Sequence, residues 1–430
     1  MSLALAASLA APWLLGCGAE SDTRTIIDFW AMGAEGERVR PLIATFERAN
    51  PDVRIRLQQI PWSAAHEKLL TAFAGDSLPD VCQLGNTWLA EFTALDALVD
   101  LTDRVERSPT IGPDDFFTGV WQGNVIDQRV VGIPWYVDTR LIFYRTDLLA
   151  AAGYDKPPAR WSDWMKMLRV VQAQQSGRGG DRYAILLPTN EFEQPIILGM
   201  QAGADLLRDN GQYGDFSGPE FRRAFEFYVN IFREGLAPTL PNTRISNVSQ
   251  EFERGTFALY VTGPWNVIEF RNRMSPAMRG RWTTSAWPSP SGDGPGVSTA
   301  GGSSLVVFGQ SPRQDAAWRF VEFLSSVDQQ VEMCLCTSNL PARRDAWDRS
   351  GLLDDPEYVA FHEQLKNVRP APPVPEWEQI VNGELAKTAE LVITDSVTID
   401  VGLEQLDRRV DEILEKRRWM LAREPAAALQ

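Results

Sequence analysis

Val131-Gly132-Ile133-Pro134-Trp135-Tyr136-Val137-Asp138-Thr139-Arg140 runs straight into Leu141-Ile142-Phe143-Tyr144-Arg145. An apolar strand carries two aromatics and then a carboxylate past its end. A second apolar run follows and leads to a helix start near Asp147. Such a strand reads as a crossing between two bodies of one chain. Side chains alternate along a strand, so Tyr136 and Asp138 face a cleft and Trp135 faces away from it. By itself the stretch also fits an ordinary buried strand with a turn carboxylate.

Upstream, Thr25–Trp30 is a strand and Met32–Gly36 a glycine-bearing turn. Val39, Leu42, Ile43 and Phe46 follow at helical spacing. Asn50-Pro51-Asp52 ends that helix, and 53–57 alternates as a strand. The next helix carries Leu69, Leu70 and Phe73, and Asp80–Leu84 is a short strand. Strand and helix alternate, which predicts a parallel sheet with helices on its faces. Downstream, Trp161, Trp164, Met165, Leu168 and Val171 form one helical stripe with Ser162 placed to cap it. Phe221, Phe225, Tyr228 and Phe232 mark a helix opened by Gly218-Pro219. Phe257–Val261 is a strand before Gly263-Pro264-Trp265, where another helix opens. Residues 287–302 read as a long loop and 305–308 as a buried strand. Arg369–Pro375 cannot be helix. Leu403, Leu406, Val410 and Ile413 give a final amphipathic helix.

The chain has 430 residues, enough for two or three domains, with 44% hydrophobic and 23% charged residues, as in a soluble globular protein. A net charge of −15 argues against nucleic acid or an anionic membrane face as partner, because like charges repel. Fifteen Trp suit a site where flat apolar faces meet a polar ligand. With only His66 and His362, a His-rich metal site is not expected; neither is a cofactor. Cys82, Cys334 and Cys336 read as buried free thiols. Patterns for a phosphate loop, a Gly-x-Ser-x-Gly nucleophile or zinc spacing do not occur.

Residues 2–15 are apolar and end in Leu14-Leu15-Gly16-Cys17, which resembles the bacterial lipobox. No Lys or Arg precedes the run, a departure from the usual signal. The expectation is a signal peptide over 1–17, a lipid on Cys17 and a polar tether over 18–24. A plain secretory signal with an incidental Cys is the alternative.

Together these stretches resemble the family 1 extracellular solute-binding proteins of bacterial ABC importers, in the sugar-binding group that includes maltose- and trehalose-binding proteins. The marks are Phe46–Val53, Leu78-Pro79-Asp80-Val81, Gly132-Ile133-Pro134, Gly255–Leu259 before Gly263-Pro264-Trp265, and Leu340-Pro341-Ala342-Arg343. The resemblance implies an α/β, two-lobe periplasmic-binding-protein-like fold with a hinge between the lobes. Lobe one would be 25–137 with 300–345, and lobe two 138–299 with 346–430. Crossings would fall near Asp138, Ala300 and Arg344. It also implies a monomer, periplasmic or at the cell surface, passing a saccharide to a permease in the inner membrane and touching the membrane through its lipid.

By the same resemblance, Asp138 is the carboxylate at the crossing, Tyr136 its neighbouring aromatic and Trp265 the stacking indole. Glu35, Asn86, Trp88, Gly301, Gly302, Ser303 and Arg369 complete the expected ligand set. Gly85 departs from some disaccharide-binding relatives that carry Asp there; either Asn86 substitutes or the ligand lacks that contact. A disaccharide such as maltose or trehalose is the expected ligand and no catalysis is expected. A non-sugar solute, or a carbohydrate-active hydrolase using cleft carboxylates, are the alternatives.

Overall fold

A computed structural model describes residues 23–245 and 247–423. The twelve strands that organise it are β1 (Thr25–Met32), β2 (Val53–Ile60), β3 (Val81–Gly85), β4 (Ile133–Asp138), β5 (Leu141–Arg145), β6 (Tyr183–Leu186), β7 (Phe257–Thr262), β8 (Trp282–Ser285), β9 (Ser298–Thr299), β10 (Gly301–Val307), β11 (Leu340–Pro341) and β12 (Val368–Arg369). One sheet has the order β11-β4-β10-β3-β1-β2, and a second has β8-β5-β7-β6. Helices cover both sheets, giving two α/β lobes.

The first sheet is mixed, which corrects the expected parallel arrangement. β1 runs parallel to β2 and β3, but β10 runs antiparallel to both β3 and β4. The cause is the crossing. β4 leaves the first lobe and β10 returns to it, side by side, with Gly301 opposite Asp138 and Gly302 opposite Val137. A strand that returns from another lobe needs no crossover helix, so nothing forces it parallel. The strand expected over 305–308 therefore begins at Gly301, and the preceding loop is broken by β9, which pairs in parallel with β12.

Alternation along β4 holds as read. Trp135 is buried in the lobe-one core, edge-on to Phe29 at 6.0 Å, while Tyr136 and Asp138 are partly open. Phe320 meets both Phe29 and Phe46 edge-on, closing that core beneath the helix Gln314–Leu324. Burying one such aromatic contributes on the order of 1.5–3 kcal/mol. In lobe two, Phe143 on β5 stacks on Trp282 and meets Phe270 edge-on. The stripe from Trp161 to Val171 is core, as its spacing implies. Ser162 is not its cap: the helix starts at Trp161, so Arg160 precedes it and Ser162 lies inside the first turn. Cys82 and Cys334 are buried free thiols, while Cys336 is half-buried.

Near Arg344 the chain is pinned to lobe one. Arg343 donates to Thr110 O at 2.6 Å and pairs with Asp115, and the Arg344 N–H donates to Asp115 O. Transfer to the second sheet follows through the helix Val359–Leu365, whose Phe361 meets Phe143 edge-on. Trp347 and His362 both rest near Phe117, forming an aromatic seam along this third crossing.

Candidate ligand cleft

A cleft of about 660 Å³ opens where the two crossing strands meet. That is the size of a small-molecule site. Its walls come from both lobes. Glu35, Asn86, Trp88, Tyr136, Asp138, Gly301 and Gly302 line it from the first sheet and its loops, and Trp265 from the second lobe. Eight of the expected ligand residues are thereby gathered in one place.

Two are not. Ser303 is fully buried, paired with Tyr136 in the β10–β4 ladder. Arg369 points to solvent, because β12 uses its backbone to hold the crossing: Ala300 N–H donates to Arg369 O at 2.8 Å. Cys17 lies outside the described residues.

The indoles share one construction. A Cβ on Gly263 would overlap the six-membered ring of Trp265, one on Gly33 would come within 2.8 Å of Trp62, and one on Gly85 within 3.2 Å of Trp88. Each ring lies against a glycine and takes space that a side chain there would fill. Gly85 thus makes room for Trp88 where a larger residue would crowd it. Asn86 ties loop to strand: its Nδ2 donates to Gly301 O at 3.1 Å and its Oδ1 accepts from Ser304 Oγ at 2.9 Å.

Trp62 and Trp88 lie 5.8 Å apart at a tilt, and the His66 ring lies 5.1 Å from Trp88. His66 Nε2 meets Glu91 Oε2 at 2.5 Å, which raises the His66 pKa above its ordinary value. Across the cleft, Arg140 Nη2 donates to Glu193 Oε1 at 2.5 Å and Nη1 to Asp138 Oδ1 at 3.4 Å. The same guanidinium lies 4.6 Å from the Trp265 ring centre. Burial raises the Asp138 pKa and Glu193 adds to the rise, while Arg140 opposes it. Burial likewise pushes Tyr136 well above its usual range, helped by Glu35 and Asp138. Trp265 is 46% exposed, a large value for an indole and one that suits a platform.

Trp62, Arg140, Glu193, Glu378, Asn339 and Asn382 also line the cleft and were missed from sequence. Some left a signal. Glu193, Ile196 and Met200 all line the cleft from one helix, Glu193–Ala202, at spacings of three and four. Glu378 precedes and Asn382 lies within a π-helical stretch, Gln379–Leu385, a geometry frequent at functional sites but without a sequence signature. Among the described residues, no cluster of His, Cys, Asp or Glu could hold a metal.

A flat indole binds the C–H face of a ring, and ionised carboxylates accept from hydroxyls. The cleft offers both from two lobes at once. The profile of bacterial extracellular solute-binding proteins matches residues 32–331. The chain is similar to the sugar-binding protein MalE from the phytopathogen Xanthomonas citri, with 47% identity and a TM-score of 0.89 over 93% of this chain and 100% of that one. It is 22% identical to the diacetylchitobiose binding protein DasA of Streptomyces coelicolor over 85% of this chain and 84% of that one. An arabinooligosaccharide-binding protein of Halalkalibacterium halodurans is also 22% identical, over 80% of this chain and 77% of its own.

Proposed function

We propose that this chain, which belongs to the bacterial extracellular solute-binding proteins, captures a saccharide in its cleft and delivers it to the permease of an ABC importer. The observation that carries the reading is the cleft itself. Indoles seated on glycines come from both lobes, and a carboxylate stands at the crossing between them. The likeness to a sugar-binding MalE at 47% identity supports it. A disaccharide such as maltose or trehalose is the proposed ligand. Asp138 accepts its hydroxyls, Trp265 and Trp88 carry ring faces, and Tyr136, Glu35 and the Gly301-Gly302 backbone border them.

The protein acts as a binding protein, not an enzyme. It is a monomer outside the cytoplasm, held to a membrane by a lipid on Cys17; among the described residues no helix is long and apolar enough to cross a membrane. The lobes comprise 25–137 with 300–345 and 138–299 with 346–430, and they close on the ligand by rotation about the paired crossing strands. A ligand that binds only the folded state raises the melting temperature. A thermal-shift screen of mono-, di- and trisaccharides on the mature protein should therefore show a rise with at least one disaccharide. No rise with any sugar, and a rise with a non-sugar solute, would replace this reading.

A further inference from the structure

We infer that Arg140, clamped by Glu193, is a charge lock that closes the cleft to anionic saccharides. The inference rests on the saccharide reading above and names which saccharides the site admits.

Among the described residues five charged side chains line the cleft: Glu35, Asp138, Glu193 and Glu378 are acids, and Arg140 is the single cation. With all of them ionised the lining carries a net charge of −3. A sugar carboxylate or phosphate brings acceptors only, and it needs a free cation or a free donor.

The cation is already engaged on three sides. Its Nη2 donates to Glu193 at 2.5 Å, its Nη1 reaches Asp138 at 3.4 Å, and its central carbon lies over the Trp265 ring, 4.6 Å from the centre. The side chains of Arg140 and Glu193 are each only 17% exposed, so water screens the pair weakly. The amide donors are engaged as well. Asn339 Nδ2 donates to Glu35 at 2.7 Å, Asn382 Nδ2 to Glu378 at 2.6 Å, and Asn86 Nδ2 to Gly301 O. Carboxylates thus hold the guanidinium and two of these three amide donors. A neutral sugar has no such problem, because its hydroxyls donate to those same carboxylates. Specificity here comes from what the site withholds as well as from what it offers.

The lock has a defined key. Replacing Glu193 by Gln removes the charge that holds Nη2 and weakens the clamp, because an amide oxygen accepts less strongly than a carboxylate, so an anion can compete for that edge of the guanidinium fork. Replacing Glu378 by Gln lowers the negative field equally but leaves Arg140 clamped.

The test is calorimetric titration of the mature protein with four probes: maltose, trehalose, trehalose 6-phosphate and the glucuronic-acid analogue of maltose. In the wild type the anions should bind about a hundredfold or more weaker than the neutral parent that binds. Glu193→Gln should narrow that gap about tenfold, and Glu378→Gln by clearly less. Anions that bind the wild type as tightly as their neutral parents would overturn the inference, and this comparison stands whatever the stability of the variants. Equal gains in the two variants would reduce the lock to a general field and overturn it as well. If anions bind and neutral sugars do not, this inference alone fails. If none of the probes binds and the wider sugar screen is also silent, the saccharide reading falls and this inference with it.

Discussion

Asp138 and Trp265 both line the cleft, and Arg140 touches both. A hydrogen bond to a charged group contributes on the order of 1.5–3 kcal/mol, so Asp138→Asn should weaken sugar binding roughly tenfold to a hundredfold. Trp265→Ala should weaken it too, through lost apolar contact. Its ring is half open to solvent, so the melting temperature of the free protein should change little. Titration of both variants with the best sugar, beside their melting curves, checks this; wild-type affinity in both would move the site elsewhere. These two residues were named from the sequence by their surroundings, Asp138 by the strand that carries it past Tyr136 and Trp265 by Gly263-Pro264 before it. Arg140 was visible in the same stretch yet unassigned, since its role depends on Glu193, 53 residues away. No local pattern reports such a distance. Arg369 misled for the complementary reason: an Arg beside a proline run looks available, but its backbone, not its side chain, does the holding.

The crossing is the element on which the cleft depends, and Gly302 sets its shape. Its φ of +110° lies where L side chains are strained, and a Cβ there would come within 2.8 Å of Val137 Cα on the neighbouring strand. Gly302→Ala should therefore cost about 1 kcal/mol or more in stability, read from chemical denaturation; an unchanged midpoint would show that the strands can part without loss. A second element, the helix Trp62–Ala74, brings Trp62 to the cleft and His66 against Trp88. The His66 pKa is raised chiefly by its bond to Glu91, with Glu378 and Glu67 adding to it. A raised pKa means that this pair stabilises the fold fully below the ordinary histidine value near 6.5, and less as pH rises through the higher folded value. Glu91→Gln should thus lower the melting temperature at pH 5.5 and have less effect at pH 9. An equal loss at both pH values would show that the pair is not an ion pair. Strand and helix identity was readable from periodicity in both lobes. Strand direction was not, because a return from the second lobe at Gly301 looks, in sequence, like the end of any glycine-rich loop.

At the scale of the whole molecule, two sheets share three crossings, and two of these run side by side as β4 and β10. The aromatic seam of Phe117, Trp347 and His362 accompanies the third. The two-lobe α/β fold was the most legible feature, since Val131–Arg145 carries a strand of one sheet straight into a strand of the other. The anchor is a separate matter. If Cys17 carries the lipid, Cys17→Ser should move the protein from the membrane fraction to the soluble one; retention with membranes would remove the anchor. The central claim is that a sugar held by both lobes draws them together. Small-angle scattering of the mature protein, alone and saturated with the best disaccharide from the screen, tests it directly. A smaller radius of gyration with ligand is the predicted result. An unchanged radius, with saturation confirmed by calorimetry, would contradict closure around a ligand in this cleft.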